Sequence, residues 1–289
     1  MSEQFNDFLD FNSSYADSHY VIIPVPMEIT VSYGKGTAKG PQAIIDSIFQ
    51  LEAYDIEFKR EAIDVPVHTM EAIQANDAPG YIERIKQSVS RCVKDGKVPI
   101  VLGGEHSLSY GVFLGIAEHK KDISILHFDS HLDLRDEYEH SKYSHASVIR
   151  RMTEHKASIK EIVAVGIRSV SSEEMSYVGK SGHKVIFAQD MYKKDVTADI
   201  NKMLGDNLYI TFDIDAFDPS IMPSTGTPEP GGLEWYQTLE ILRGVIKGKK
   251  VLGFDIVELA PDGVNHHSQF TAAKLLYKMM AYSLVFGVK

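Results

Sequence analysis

Ile123-Ser-Ile-Leu-His-Phe-Asp129-Ser-His131-Leu-Asp133 begins as a strand and ends as a cluster of ligating side chains. Its first six residues form a short, mostly apolar run of the kind buried in a parallel sheet. Acids and imidazole then follow at alternate positions. Two other stretches repeat the form: Val98-Pro-Ile-Val-Leu-Gly-Gly-Glu105-His106-Ser107, and Leu208-Tyr-Ile-Thr-Phe-Asp213-Ile-Asp215-Ala-Phe-Asp218-Pro219. Residues two apart in extended chain share a face, so Asp129, His131 and Asp133 are expected to converge, as are Asp213 and Asp215. Ligand sites of parallel α/β sheets lie beyond the carboxyl ends of the strands, where all three clusters fall.

Outward from these stretches, strand-like runs recur at residues 20–25, 63–68, 98–102, 123–128, 162–167, 185–187, 208–214 and 251–257. Segments with helical spacing lie between them, at 41–54, 81–94, 233–246 and 271–284. Pro41 after Gly40 suits the first turn of a helix. Strands alternating with helices imply parallel pairing through crossover helices, and the fold class is α/β. Eight strands suit a closed barrel or an open sheet covered on both faces, and periodicity does not choose between them. No linker, repeat or composition shift divides the 289 residues, so residues 1–289 are expected to form one domain, with residues 1–18 open to reading as an N-terminal arm.

Forty acidic against thirty basic residues leave a formal charge of −10, which argues against nucleic-acid or anionic-membrane surfaces and suits a small cationic substrate. The single cysteine, Cys92, excludes an intrachain disulfide framework and a thiolate-rich zinc site. The acidic, polar start lacks the basic and apolar pattern of a secretory signal, and no apolar run approaches the roughly 18 residues of a membrane span. A cytoplasmic protein is expected. The stretch Tyr33-Gly-Lys-Gly-Thr-Ala-Lys-Gly40 lacks the P-loop ending and the dinucleotide glycine spacing; it reads as a mobile loop feeding a helix.

Asp129, Asp133, Asp213 and Asp215 together would put four negative charges in a buried pocket, at a prohibitive cost without compensation. Two divalent ions would neutralise them, and some carboxylates would have to bridge. Oxygen-rich ligation with some imidazole and no thiolate favours manganese over structural zinc, with iron or cobalt as alternatives. Two ions sharing a water can supply hydroxide at neutral pH. A lone Asp-x-His is ordinarily a cap or a solvated loop, but three such clusters on three strand ends favour metal. His127 is expected to be a core histidine or one that touches a ligand. Adjacent His266 and His267 point apart, Trp235 is expected to pack, and Cys92 to be a partly buried thiol of no special reactivity.

Taken together, Gly103-Gly-Glu-His106-Ser, Asp129-Ser-His-Leu-Asp133 and Asp213-Ile-Asp-Ala-Phe-Asp218-Pro resemble the signatures of the ureohydrolases, the arginase–agmatinase family. The likeness runs from Val31-Ser-Tyr-Gly-Lys-Gly-Thr to Phe270-Thr-Ala-Ala-Lys-Leu. It is greatest to agmatinases, in His127-Phe-Asp-Ser-His-Leu-Asp-Leu-Arg135 and Tyr143-Ser-His145-Ala-Ser. Ser130 and Ala146 stand where agmatinases often have Ala and Gly.

The resemblance implies a three-layer α/β/α fold with an eight-stranded parallel sheet, two Mn2+ per chain, and homotrimers or homohexamers. It implies that His106 and Asp133 bind one manganese, His131 and Asp215 the other, and that Asp129 and Asp213 bridge. His145 would be the proton shuttle and Glu258 the partner of the substrate guanidinium; Thr227, in Ser224-Thr-Gly-Thr-Pro228, reads equally as a further guanidinium contact or as a turn residue. The expected reaction is hydrolysis of agmatine to putrescine and urea. The alternatives are another ureohydrolase acting on arginine, guanidinobutyrate or a related compound, or a non-catalytic metal-binding regulator.

Overall fold

Apolar strands that alternate with helices settle into one parallel sheet in the computed structural model, which describes residues 13–288. Its strands are β1 (Tyr20–Val25), β2 (Val67–Thr69), β3 (Val98–Gly103), β4 (Ile123–Phe128), β5 (Ile159–Ile167), β6 (Lys184–Phe187), β7 (Asn207–Asp213) and β8 (Lys250–Val257). They lie side by side as β2-β1-β3-β8-β7-β4-β5-β6, each neighbouring pair parallel. The sheet is open, with β2 and β6 at its edges, so the barrel alternative falls.

Alternate side chains of β1 show why both faces need cover. Tyr20 and Ile22 enter one core, Val21, Ile23 and Val25 the other, and all five are buried. The first core is closed by α1 (Gly40–Ile48), α7 (Thr197–Met203), α8 (Trp235–Ile246) and α9 (His267–Phe286). The second is closed by α2 (Ala78–Lys94), α3 (Ser109–Ala117) and α4 (Val148–Thr153), flanked by α5 (Ser172–Ser181). The short α6 (Ala188–Met191) follows β6. The fold is three-layered, α/β/α.

Two of the differences from the sequence reading lie between α1 and β2. The helix expected at 41–54 ends at Ile48; beyond it Asp55, held by the ammonium of Lys278 at 2.8 Å, accepts the amide of Glu57, and the chain forms a ribbon pairing Tyr54–Asp55 with Arg60–Glu61. The strand expected at 63–68 starts at Val67. Of the proposed arm, residues 1–12 lie outside the described residues. Residues 13–18 lie against the body: Ser13 N–H donates to Val67 O, and Tyr15 donates to Asp95 beneath the Arg91 guanidinium. Among the described residues, no helix is long and apolar enough to cross a membrane.

The sequence clusters sit after β3, β4 and β7, and Glu258 follows β8 directly. Those four strands are adjacent, β3-β8-β7-β4, at the sheet's centre. Connections diverge from this point to either side, the position where open α/β sheets form a crevice.

Candidate metal centre and substrate cavity

β4 ends at Phe128, and the chain then leaves the extended conformation, with Asp133 at φ 52°. β7 likewise ends at Asp213 and turns through a single helical turn, Ile214–Ala216. Convergence therefore comes from turns and not from strand alternation. Carboxylates along a straight strand would be spaced about 7 Å apart; the turns fold them around common points. Glu258 also has a left-handed backbone, φ 67°. Such conformations cost about 1–3 kcal/mol for a non-glycine residue and recur where a side chain must be aimed.

His106 Nδ1 lies 3.1 Å from Asp129 Oδ2, 3.1 Å from Asp133 Oδ2 and 3.4 Å from Asp213 Oδ2. None of these is aligned as a hydrogen bond, so Nδ1 is a buried nitrogen without a hydrogen-bond partner among carboxylate oxygens. On the other side of the ring, Nε2 is 2.9 Å from Thr211 Oγ1, which donates to Asp255 Oδ1 at 2.8 Å. With Nε2 donating, Nδ1 presents its lone pair to the carboxylates, the arrangement by which an outer acceptor orients a ligating histidine. Ser109 and Tyr209 also donate to Asp255.

His131 Nδ1 is 3.1 Å from Asp215 Oδ2 and 3.4 Å from Asp129 Oδ1. Asp129 Oδ1 accepts the His131 amide, Asp215 Oδ1 the Ser130 amide, and Asp213 Oδ1 the Asp215 amide. Two groups of ligating atoms, His106–His127–Asp129–Asp133 and Asp129–His131–Asp215, each lie within 4.8 Å, and Asp129 belongs to both. His127 Nε2 lies 2.8 Å from Asp129 Oδ2, so the histidine read as a core or ligand-touching residue is buried and touches a candidate ligand.

Titration within the cluster reflects the crowding of charge. Burial raises Asp213 well above the ordinary carboxylate range, and the charges of Asp215 and Asp129 add to it. Burial, then Asp129, raises Asp133. Burial opposes charge on His131, yet Asp215 and Asp129 carry it up to about 12. Divalent cations held among these groups would offset the same crowding of negative charge. The buried nitrogen of His106 and the shared Asp129 fit such ions.

Glu258 is buried, and burial pushes its carboxyl up to about 8. It accepts the His106 amide at 2.6 Å, and its own amide donates to Gly104 O. A Cβ on Gly104 would lie 1.9 Å from Met27 O, so this close approach of segments requires glycine. His145 lies in the loop before α4; its Nδ1 is 3.3 Å from Thr30 Oγ1, and its amide donates to the same oxygen. Thr30 Oγ1 in turn donates to buried Glu105 at 2.7 Å, and Glu105 Oε2 accepts the amides of Ile29 and Thr30.

A cavity of about 470 Å3 opens over the centre, and His106, His131, Asp133, Asp213, Asp215, His145, Thr227 and Glu258 all line it. Asp129 is fully buried beneath. Tyr33 and Gly34 bring the glycine-rich loop to the cavity wall, and Glu28 ties that loop down through the amides of Gly36 and Ala38. His266 pairs with Gln269, and Trp235 packs as expected, stacked on Phe217; Cys92 is fully buried where a partly buried thiol was expected, and burial pushes it up to about 11.

Sequence reasoning missed Thr30, the role of Glu105, and Arg168. Arg168 follows the end of β5 as His106 follows β3, so the strand-end rule applied once more would have flagged it. Thr30 carried no signal, being 115 residues from His145.

An open parallel sheet with two carboxylate–imidazole clusters sharing one aspartate at its central strand ends defines the class of metal-dependent hydrolases acting on amidine or guanidino groups. The chain belongs to the arginase family, whose model matches residues 18–282. It is 34% identical over 280 residues to the N(1)-aminopropylagmatine ureohydrolase of Synechocystis sp., covering 93% of this chain and 90% of that one. It is 36% identical over 275 residues to the agmatinase of Pyrococcus horikoshii, covering 92% and 93%. The crystal structure of the agmatine ureohydrolase of Thermoplasma volcanium superposes with a TM-score of 0.84 at 31% identity, covering 95% of this chain and 93% of that one.

Proposed function

We propose that the protein is a two-manganese ureohydrolase that converts agmatine and water to putrescine and urea. The observation that carries this reading is the shared Asp129 between two ligating clusters, with the buried carboxyl of Glu258 beside them. In this reading His106 and Asp133 would hold one ion and His131 and Asp215 the other, with Asp129 and Asp213 as the carboxylates that would serve both. Oxygen-rich ligation without thiolate favours manganese. When bound, the pair of ions supplies an activated water at neutral pH.

The remaining work falls to the chain's own groups. Glu258 is a desolvated carboxyl whose ionised form gains most from a cation, and a planar guanidinium gives it two parallel hydrogen bonds. Thr227, which lines the same cavity, adds a further contact. Hydrolysis breaks the bond between the guanidino carbon and the tail nitrogen, and that nitrogen must leave as an amine carrying an added proton. His145 is the donor, at the cavity wall with Thr30 holding its ring and its amide. Assembly as trimers or hexamers belongs to the same proposal.

A second substrate, N(1)-aminopropylagmatine, is favoured by the name of the Synechocystis relative and by a cavity with room for a longer tail. The test is urea release by purified, manganese-loaded protein given agmatine, N(1)-aminopropylagmatine, arginine and guanidinobutyrate. Agmatine or its aminopropyl derivative should give the highest kcat/KM. Absence of urea from every compound would leave a metal-binding protein without this activity.

A further inference from the structure

We infer that Glu229 reads the substrate's tail: its carboxylate receives the ammonium of a guanidino-alkylamine whose guanidinium lies at Glu258. This inference rests on the guanidino reading above and adds the tail chemistry to it.

The cavity's acids can be sorted by what already occupies them. Asp133, Asp213, Asp215 and Glu258 belong to the centre. Glu174 is committed to structure: its Oε1 accepts the Leu134 amide, and its Oε2 accepts the amide and hydroxyl of Ser171, capping α5. Glu229 lines the same cavity, is half-buried, and among the described residues its carboxylate has no hydrogen bond or ion pair. The neighbouring Arg168 does not occupy it, because every hydrogen bond of that guanidinium goes to a backbone carbonyl.

The same arginine fixes where Glu229 stands. Arg168 Nη2 donates to Asp215 O and to Glu229 O at 2.7 Å each, so one nitrogen joins the backbone of a candidate metal ligand to that of Glu229. Asp218 Oδ2 holds the next turn through the amides of Gly231 and Gly232, at 2.9 and 3.1 Å. On the other side, Ala260 N–H donates to Ser224 O, tying the loop to the segment that follows Glu258. A recognition residue needs a fixed backbone and an uncommitted functional group, and Glu229 has both. Arg135 is the competing feature of the wall. It lies 5.1 Å from the Tyr138 ring and would suit a carboxylate tail. The acids around it make the cavity favour a dication.

The experiment compares wild type with Glu229→Gln and Glu229→Lys, as full chains loaded with manganese. Substrates are agmatine, butylguanidine, which has the same carbon tail without the amine, and guanidinobutyrate. In Glu229→Gln the agmatine-to-butylguanidine ratio of kcat/KM should fall at least tenfold, mostly through KM for agmatine. Glu229→Lys should lower it further and raise the relative rate on guanidinobutyrate. Manganese content and melting temperature, unchanged from wild type, identify a folded variant. An unchanged ratio in both variants would overturn the assignment of Glu229 while leaving the guanidino reading intact. A wild type that hydrolyses none of the three overturns both.

Discussion

Asp129 is the carboxylate that both clusters share, and burial alone would raise its pKa. The imidazoles of His106, His127 and His131 packed around it instead hold it well below the ordinary range, so it stays an anion where its neighbours Asp133 and Asp213 are pushed toward protonation. Glu258 is the complementary case, a carboxyl driven up by burial and ready to gain from a cation. Glu258→Gln keeps size and position and removes the charge. Loss of one partner from a buried charge-assisted pair costs a few kcal/mol. About 3 kcal/mol corresponds to a fall in kcat/KM of roughly 100-fold. Urea formation from agmatine should drop by that factor with both metal equivalents retained, and unchanged efficiency would remove Glu258 from the guanidinium. The types of these residues were legible because an acid or imidazole directly after an apolar run has no place in a core. Their convergence was legible for the wrong geometric reason, since positive φ at Asp133 and Glu258 is a tertiary property that no periodicity encodes.

Elements were legible in proportion to how strongly one face is apolar. The central strands β3, β4, β7 and β8 were placed to within a residue or two, because burial on both faces leaves continuous apolar runs. The α3 helix escaped notice: its sequence, Ser-Tyr-Gly-Val-Phe-Leu-Gly-Ile-Ala, is apolar almost all round and so has no helical stripe. Its glycines allow contact with α2, where a Cβ on Gly115 would meet Lys86 O at 2.7 Å. One carboxylate, Asp218, joins the two ends of the loop from Asp218 to Gly232. Hydrogen bonds from Ser220, then the amides of Gly232 and Gly231, bring Asp218 down to about 2. A depressed carboxyl contributes stability that is present above its unfolded pKa of about 3.9 and is lost as the pH falls toward 2. Asp218→Asn should therefore have a lower Tm than wild type near pH 6, and the gap should close between about pH 4 and pH 2. A pH-independent gap would mean that the carboxylate's charge does not secure this loop.

For the molecule as a whole, strand order was the feature that neither composition nor periodicity could supply, since eight alternating units fit an open or a closed sheet equally well. The order β3-β8-β7-β4 brings together residues from His106 to Glu258, separated by 152 positions, at one crevice. The formal charge of −10 suits such a site, drawing a dication toward a cavity whose wall is itself acidic. The account's central claim is that two ions, held in common by Asp129, are needed for guanidino hydrolysis. The direct measurement is a titration of chelator-stripped protein with Mn2+, following bound metal and urea release from agmatine together. The account predicts that turnover reaches its plateau only as the second equivalent per chain is bound. Full turnover at one equivalent, or two bound equivalents without urea from any guanidino substrate, would contradict it.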